Sequence, residues 1–380
     1  MVITMVKKLI LTTGIVAALV LAVSCTGVID YVLARTIFSP NYPEDNSTRH
    51  GVRLSDLEVI AENLDIPWEI IPLRDGGMIV TERPGRIMLI ENGTRTVLKE
   101  LNVSAIGEGG LLGAAIEHSF DESGYLYVYY TYRSGINNLN RVSRFPFDGV
   151  SLGDEQVLLE QIPGSTLHNG GRMKFGDDGK LYVTTGDALT TRLAQDKDSL
   201  AGKVLRINPD GSVPLDNPFP GSYVYALGLR NPQGLAWHPV TGKLYLSGHG
   251  PTRRDHITVV EPGLNYGWPT IRCDQESDEF AAHLICYEDF TLAPSGMDFV
   301  HLVDQQRVLL LVSGLRGNMV MVIELDEDGL AVSQTPILTE LGRIRTVVFH
   351  EGYVYIATNN TDGRGIPDEN SDIILRFRIE

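Results

Sequence analysis

The sequence predicts an all-β fold, a six-bladed β-propeller that follows an N-terminal hydrophobic export or anchor segment. Three observations predict the propeller. A strand-like signature recurs six times along the chain, its copies are spaced at a fairly even interval, and no long amphipathic helical pattern competes with them after the N-terminal segment.

The strand signature is a turn that carries glycine or a charged residue, followed by a run of β-branched and aromatic residues. Glycine supplies the positive φ of a tight turn, and Tyr, Val, Ile and Leu fit a pleated, mostly buried strand. The six copies are DGGMIVTE from Asp75, ESGYLYVYYTY from Glu122, DGKLYVTTGD from Asp178, TGKLYLSGHG from Thr241, QRVLLLVSG from Gln306 and EGYVYIATN from Glu351.

The copies begin about 45 to 65 residues apart, which leaves room for one four-stranded sheet per copy. Sheets arranged radially bury both faces and leave little open edge, so a propeller accounts for strands that are apolar on both sides. A β-sandwich is the alternative fold. It would show turns about every 8–12 residues without the longer period.

The N-terminus carries a separate signal. After Lys7 and Lys8, the run Leu9 to Ile29 contains no charged residue, which is typical of export targeting and long enough to span a bilayer. It is an uncleaved signal-anchor or a lipoprotein signal whose AVSC presents Cys25 for lipidation, and a buried core helix is the third alternative. The predicted division is a signal peptide or membrane anchor over residues 1–34, a linker over 35–54 and a catalytic propeller over 55–380. We expect an extracytoplasmic protein, anchored, lipidated or secreted.

Composition excludes one class of partner and suggests one cross-link. The net charge of -16, without runs of Lys or Arg, excludes nucleic acid as a partner, because phosphate neutralisation dominates such binding. Cys273 and Cys286 are separated by thirteen positions. In an oxidising compartment they could form a disulfide, with two buried free thiols as the alternative.

Several loops beside the strand signature carry arginine in this acidic chain. Arg343 and Arg345 are two apart on a strand-like run, so both side chains face the same way, either from an exposed edge strand or into a cavity. Together with Arg230 and Arg316 they predict a cationic pocket, and guanidinium groups bind carboxylates in a bidentate manner. The predicted ligand is therefore a polyanion.

Other chemistries lack their motifs. The sequence contains no Walker A loop, no G-x-S-x-G and no HExxH. The acidic stretch DGRGIPDENSD, Asp362 to Asp372, breaks the EF-hand pattern, and we expect it to be a solvated loop rather than a calcium site.

A series of motifs from roughly Leu57 to Glu380 resembles one known family. TERPGRI, EGGLLGAAIEHSF, HNGGRMKFGDDGKLYVTTGD, GKVLRINPDGSVPLDNPF, LRNPQGLAWHP, GLNYGWP, APSGM and LGRIR occur in the order found in the soluble glucose and aldose sugar dehydrogenases that depend on pyrroloquinoline quinone (PQQ), the glucose/sorbosone dehydrogenase family. The resemblance implies a six-bladed propeller. It also implies PQQ- and calcium-dependent oxidation of the anomeric hydroxyl of an aldose to a lactone, with electrons passed to an external acceptor.

The resemblance also implies roles for particular residues. His168 is the general base, and Arg230 stabilises negative charge that develops on the quinone. The remaining cofactor-binding residues are Asn231, Thr291, Arg316, Arg343 and Arg345, and the backbone carbonyls of Gly250 and Pro251 hold calcium. Glu108 stands in the substrate site where the family often has glutamine. His256 replaces a glutamate of a second, structural calcium site, of which Tyr266 remains.

Two other functions fit the same architecture. One is a propeller of this family that binds a ligand or a protein without turnover. The other is a calcium-dependent lactonase, which would need acidic and Asn ligands converging on the axis, where this sequence offers Gly-Pro carbonyls instead. The combination of His168, Arg230 and the arginine pair favours the dehydrogenase.

Overall fold

The structure is a computed structural model that describes residues 52–117 and 124–380, and the predicted export segment and nearly all of the predicted linker lie outside them. The described residues form six four-stranded antiparallel sheets and almost no helix. The innermost strands of successive sheets contact one another and close into a ring. The predicted six-bladed β-propeller is thus confirmed.

Each blade consists of four strands, and in the first five blades these strands follow one another along the chain from the centre outwards. Blade 1 contains β2 (Pro67–Pro72), β3 (Met78–Glu82), β4 (Arg86–Glu91) and β5 (Thr94–Glu100). Blade 2 contains β6 (Leu111–Ile116), β7 (Gly124–Ser134), β8 (Asn137–Phe147) and β9 (Gln156–Pro163). Blade 3 contains β10 (Met173–Phe175), β11 (Leu181–Thr185), β12 (Lys203–Ile207) and β13 (Val224–Leu227).

The second half of the ring repeats this order. Blade 4 contains β14 (Pro232–Trp237), β15 (Leu244–Gly248), β16 (Asp255–Val260) and β17 (Ile285–Tyr287). Blade 5 contains β18 (Pro294–Leu302), β19 (Arg307–Gly314), β20 (Met319–Leu325) and β21 (Ala331–Ile337). Blade 6 contains β22 (Ile344–His350), β23 (Tyr353–Thr358) and β24 (Ile374–Ile379), and its outermost strand is β1 (Leu54–Ala61).

The pairing of β1 with β24 closes the ring through backbone hydrogen bonds. Leu54 lies opposite Ile379, and the main chains of Arg53 and Glu380 exchange hydrogen bonds of 3.0 and 2.9 Å. The first strand of the described chain therefore completes the last blade, which unlike the other five is not built from consecutive strands alone.

Each copy of the strand signature forms the second strand of a blade. The six copies become β3, β7, β11, β15, β19 and β23. These strands have a neighbouring strand on each side and a packed blade on each face, which is why β11 and β15 are buried at every position. The outermost strand β5, by contrast, is mostly exposed.

Aromatic side chains fill the space between neighbouring blades. Tyr127 meets Phe175 edge to face with ring centroids 5.0 Å apart, which joins blades 2 and 3. Tyr182 and Trp237 join blades 3 and 4 in the same way at 4.9 Å. Such pairs add about 0.5–1.5 kcal/mol beyond the burial of their area.

Cys273 and Cys286 form a disulfide with their Cα atoms 5.6 Å apart, so the cross-link forms and the free-thiol alternative does not. It joins β17 to the long connection between β16 and β17 in blade 4. In residues 52–117 and 124–380, no helix is both long and apolar enough to cross a membrane.

Candidate active site

The candidate site lies at one end of the propeller. In an antiparallel blade, the start of the first strand and the end of the second strand lie at the same end. The predicted site residues come from these two loops of the blades: Glu108 before β6, His168 before β10, Arg230 and Asn231 before β14, Gly250 and Pro251 after β15, Thr291 before β18, Arg316 after β19, Arg343 before β22 and Arg345 at its second position.

His168 is paired with a buried carboxylate. Its Nδ1 lies 2.7 Å from Oδ1 of Asp187, a residue just past the end of β11 with no exposed surface. A carboxylate at this distance accepts the proton of Nδ1, which leaves Nε2 as the basic nitrogen. The glycine before Asp187 permits the approach, because a Cβ on Gly186 would overlap the carbonyl oxygen of His168.

The second oxygen of Asp187 is also occupied. The indole Nε1 of Trp268 donates to Asp187 Oδ2 at 2.8 Å, and the guanidinium carbon of Arg230 lies 5.5 Å from the Trp268 ring centre. The backbone N–H of Asp187 donates to the carbonyl of Arg230 at 2.8 Å. Trp268 thus connects the His168–Asp187 dyad to Arg230, the arginine predicted to stabilise negative charge.

Glu108 contacts the dyad from the neighbouring blade. Its Oε2 accepts the backbone N–H of His168 at 3.0 Å and the side-chain amide of Asn231 at 3.4 Å, and its Oε1 pairs with Arg364 at 2.9 Å. Burial alone would raise the pKa of Glu108, but the hydrogen bonds from Arg364 and the His168 N–H, together with the charge of Arg364, lower that pKa. Glu108 is therefore an ionised acceptor beside the base.

Arg230 is a cation without a carboxylate partner among the described residues. Its Nη1 donates to the carbonyl of Gly250 at 2.9 Å and to that of His249 at 3.4 Å. Burial lowers the pKa of Arg230, and the carboxyls of Asp187 and Glu108 offset part of that effect. Burial also lowers the pKa of His249 to about 4, so this imidazole is neutral at pH 7.

The loop that carries Gly250 is held by a buried carboxylate. Asp255 accepts the N–H of Gly250 at 3.1 Å and that of Ala293 at 2.7 Å. Burial raises the pKa of Asp255 to about 6. This carboxylate links the loop with the Gly250 and Pro251 carbonyls to the segment that begins blade 5, where Thr291 is half-buried.

The two arginines of blade 6 differ in their partners. Both are buried, as the cavity alternative requires. Arg343 forms a salt bridge of 2.8 Å with Asp362, whereas the guanidinium of Arg345 donates, among the described residues, only to Gln233 at 2.8 Å and Ser295 at 3.3 Å. The Nε of Arg345 has no hydrogen-bond partner in the described structure. Burial, and then the charge of Arg343, lower the pKa of Arg345 to about 9.

The acidic loop between β23 and β24 was predicted to be solvated, but two of its carboxylates are buried. Asp362 is paired with Arg343, and its side chain is only 3% exposed. Asp372 is fully buried and accepts hydrogen bonds from Thr358, Asn360 and Thr361. The prediction treated the loop in isolation, whereas Arg343 from another loop of the same blade neutralises Asp362, and hydrogen-bond donors within blade 6 satisfy Asp372.

Beneath the site, Arg172 occupies the axis of the ring. Its Nη1 forms a buried ion pair with Glu69 at 2.5 Å, and its Nε donates to the carbonyl of Gln233 at 2.8 Å. The guanidinium carbon lies 4.1 Å from the ring centre of Trp68. Arg172 therefore links the first strands of several blades at the centre of the ring.

Three residues of the site were not predicted from the sequence, namely Asp187, Trp268 and Arg364. Asp187 ends the copy DGKLYVTTGD, so a carboxylate at the end of a second strand was the available signal. Arg316, in the loop after β19, is exposed. His256, which the family resemblance placed at a second calcium site, packs on His283 with ring centroids 4.2 Å apart, and burial lowers the pKa of both imidazoles.

Comparison with known proteins supports the family resemblance that the sequence motifs indicate. The sequence model of the family described as Glucose / Sorbosone dehydrogenase matches residues 64–375. The chain is 29% identical to the aldose sugar dehydrogenase YliI of Escherichia coli K12 over 81% of its own length and 91% of that protein. It resembles the crystal structure of an oxidoreductase described as a glucose dehydrogenase from Thermus thermophilus, with 38% identity, a TM-score of 0.79, and coverage of 86% of this chain and 100% of that one.

A further solved relative carries a cofactor. The PQQ-bound form of the aldose sugar dehydrogenase from Streptomyces coelicolor is 34% identical, with a TM-score of 0.79 over 87% of this chain and 98% of that one. The fold is a six-bladed propeller, and its site holds a buried His–Asp dyad beside arginines without carboxylate partners among the described residues. Together with the similarity to these dehydrogenases, this identifies the protein as an oxidoreductase. The chain belongs to the glucose/sorbosone dehydrogenase family.

Proposed function

We propose that this protein is a PQQ- and calcium-dependent aldose dehydrogenase that oxidises the anomeric hydroxyl of a sugar to a lactone. The observation that carries the proposal is that His168, with its carboxylate partner, shares one end of the propeller with two arginines that have no carboxylate partner among the described residues. These are the half-buried Arg230 and the buried Arg345. The relatives named for aldose sugar and for PQQ support the choice of substrate and cofactor.

The residues fit a tricarboxylic quinone. A buried guanidinium without an anionic partner costs free energy, and the unpartnered Nε of Arg345 is a donor that an anionic ligand would satisfy. Arg345 and Arg316 would bind cofactor carboxylates, with Asn231 and Thr291 as neutral contacts. Because Asp362 already neutralises Arg343, we assign Arg343 a smaller share of the binding. When bound, PQQ supplies the two-electron acceptor of the reaction.

The carbonyls of Gly250 and Pro251 fit a hard cation in part. The Gly250 carbonyl already faces a cation, the guanidinium of Arg230, so its oxygen is directed into the site. No group of three or more His, Cys, Asp or Glu side chains that could hold a metal occurs within the described ranges. Calcium would therefore need oxygen ligands from the cofactor or water in addition to these carbonyls, and it would act there as a Lewis acid.

The chain's own groups perform the proton transfer. His168 Nε2 takes the proton of the anomeric hydroxyl, and Asp187 stabilises the imidazolium that results. Arg230 supplies positive charge, held by the Gly250 and His249 carbonyls, where negative charge accumulates during oxidation. Glu108 accepts hydrogen bonds from sugar hydroxyls beside the base.

A dye-reduction assay tests the proposal. The protein without residues 1–34 is loaded with PQQ and calcium, and reduction of an artificial electron acceptor is followed with a panel of aldoses. We expect turnover with at least one aldose, its loss on chelation and its return with calcium. Substitution His168→Ala should abolish turnover and leave PQQ affinity largely intact. Uptake of PQQ without dye reduction by any sugar would favour a binding protein instead.

We also propose that the protein is held outside the cytoplasm by its N-terminal segment, as an anchored protein or as a lipoprotein through Cys25. The uncharged run Leu9 to Ile29 supports this proposal. Labelling with a radioactive fatty acid separates the two forms, because Cys25→Ala would abolish the label only in a lipoprotein. Recovery of the unlabelled full-length chain in the soluble cytoplasmic fraction would contradict both.

A further inference from the structure

The mouth of the site is crossed by an ion pair between distant blades. Arg364, in the loop between β23 and β24 of blade 6, pairs with Glu108, which precedes the first strand of blade 2, and their charged atoms are 2.9 Å apart. The side chain of Arg364 is 49% exposed and that of Glu108 is 16% exposed. The cation is therefore on the solvent side of the pair, and the carboxylate is on the side of the dyad.

The backbone around Arg364 is fixed. Its N–H donates to Asp362 Oδ1 at 2.8 Å, and Asp362 in turn holds Arg343. A Cβ on Gly365 would overlap the backbone of Asn360, so the turn is tightly packed there. The packing of this loop thus holds the backbone of Arg364 within reach of Glu108.

Glu108 lies where a substrate of the proposed reaction must bind. Its Oε2 accepts the main-chain N–H of His168 at 3.0 Å, so a sugar whose anomeric hydroxyl reaches the imidazole of this histidine approaches the carboxylate as well. An ionised carboxylate accepts hydrogen bonds from hydroxyls but repels a second anion. Its charge therefore influences which sugars enter, unless a cation offsets it.

We propose that Arg364 is a specificity-determining residue: by offsetting the charge of Glu108 at the mouth, it lets the site accept aldoses that carry a carboxylate, the uronic acids, as well as neutral aldoses. This inference rests on the proposed dehydrogenase function. It concerns the charge of the substrate and not the chemistry at the anomeric carbon, which His168 performs in either case.

A charge series on the PQQ- and calcium-loaded enzyme tests the inference. The kcat/KM is measured for a neutral aldose and for the uronic acid of the same stereochemistry, such as glucose with glucuronate and galactose with galacturonate. Arg364→Gln should lower the ratio of uronate to neutral aldose by about three- to tenfold, as expected for one exposed charge at this range. Glu108→Gln should raise the ratio, and the double variant should return it towards the wild-type value.

Arg378→Gln is the matched control. Arg378 is also an arginine of blade 6 in an ion pair, with Asp56 at 3.1 Å, and its side chain is 44% exposed. It lies near the end of β24 that is opposite to the site loops, so its removal changes net charge equally without changing the mouth. The ratio of uronate to neutral aldose in Arg378→Gln should equal that of the wild type. The effect of Arg364→Gln should also shrink at high ionic strength.

The outcomes separate the inference from the proposed function. An unchanged ratio in Arg364→Gln, an equal loss for both sugars, or a wild-type enzyme that oxidises neutral aldoses but no uronate would overturn the inference while leaving the dehydrogenase intact. Absence of dye reduction with every sugar in the wild type would overturn the proposed function, and the inference would fall with it.

Discussion

Nδ1 of His168 and Oδ1 of Asp187 are 2.7 Å apart, although the two residues belong to different loops of blade 3. One loop enters the first strand of the blade and the other leaves its second strand. The antiparallel pairing of β10 with β11 brings these two loop ends together. A base and its orienting carboxylate are thus a direct product of one hairpin.

The dyad predicts the effect of removing the charge of Asp187. Asp187→Asn keeps the shape of the side chain, but an amide does not stabilise the imidazolium and can hold the wrong tautomer of His168. We expect kcat to fall by about 100-fold or more, within the range typical of general-base catalysis. Stopped-flow and steady-state dye reduction measure this, with PQQ affinity as the control. A kcat close to that of the wild type would show that Asp187 does not assist the base.

The unpaired cation at Arg345 predicts opposite effects on stability and binding. Arg345→Gln removes a desolvated charge, so the apo protein should gain about 1–2 kcal/mol in its free energy of unfolding, whereas PQQ affinity should fall about tenfold or more. Arg343→Gln should destabilise the apo protein instead, because it leaves the buried Asp362 carboxylate without its partner. Thermal denaturation and a PQQ titration measure both effects. Equal shifts in melting temperature for the two variants would contradict this distinction.

Lys203 predicts a pH dependence of stability. Its ammonium is buried and donates to the carbonyls of Leu193, Ala194 and Ala201 at 2.7, 3.0 and 2.7 Å. Burial lowers the pKa of Lys203 from 10.5 to about 7. Between these two values the unfolded chain binds one proton more than the folded chain, so folding becomes more favourable as the pH rises. Below about pH 7 Lys203 is protonated in both states, and the free energy of unfolding no longer changes with pH because of this residue.

The matching experiment compares wild type with Lys203→Met between about pH 6 and about pH 10, a range that brackets the lowered pKa. The difference in free energy of unfolding, wild type minus variant, should increase above about pH 7 by up to about 1.4 kcal/mol per pH unit. Urea denaturation at each pH gives the values. Parallel stability profiles for the two proteins would show that Lys203 keeps its ordinary affinity for the proton.

The disulfide predicts a loss of stability on reduction. The cross-link between Cys273 and Cys286 closes a loop of 13 residues, and the chain-entropy estimate for such a loop is about 3 kcal/mol. The double substitution of both cysteines by serine should lower the melting temperature by a few degrees. A reductant should lower it for the wild type but not for the variant. Identical melting temperatures with and without reductant in the wild type would contradict this.

The fold was predictable because each blade repeats one local pattern. The turn and apolar run of DGKLYVTTGD become β11, and the other five copies occupy the same place in their blades. The closure by β1 was not predicted. It pairs residues more than three hundred positions apart, such as Leu54 with Ile379, and no local pattern specifies a partner at that distance.

The site was predictable only in part, for a physical reason. Residues such as His168 and Arg230 stand in recognisable loops, so their positions follow from the motifs. Their partners come from other blades or other loops: Asp362 neutralises Arg343, and Arg364 reaches Glu108. Which cation is paired and which is left for a ligand is decided by the packing of loops around the axis, and a linear reading does not contain that information.

The contacts of Arg172 have a consequence for how the protein comes apart. Its guanidinium hydrogen-bonds Glu69, Gln233, Ser295 and Thr346, which together with its own position involves five of the six sheets. In a linear repeat array the terminal units can fray singly. Here, detaching the sheet of Glu69 would leave the charges of Arg172 and Glu69 unpaired in the protein interior. Loss of one sheet and unfolding of the whole propeller should therefore be a single cooperative event.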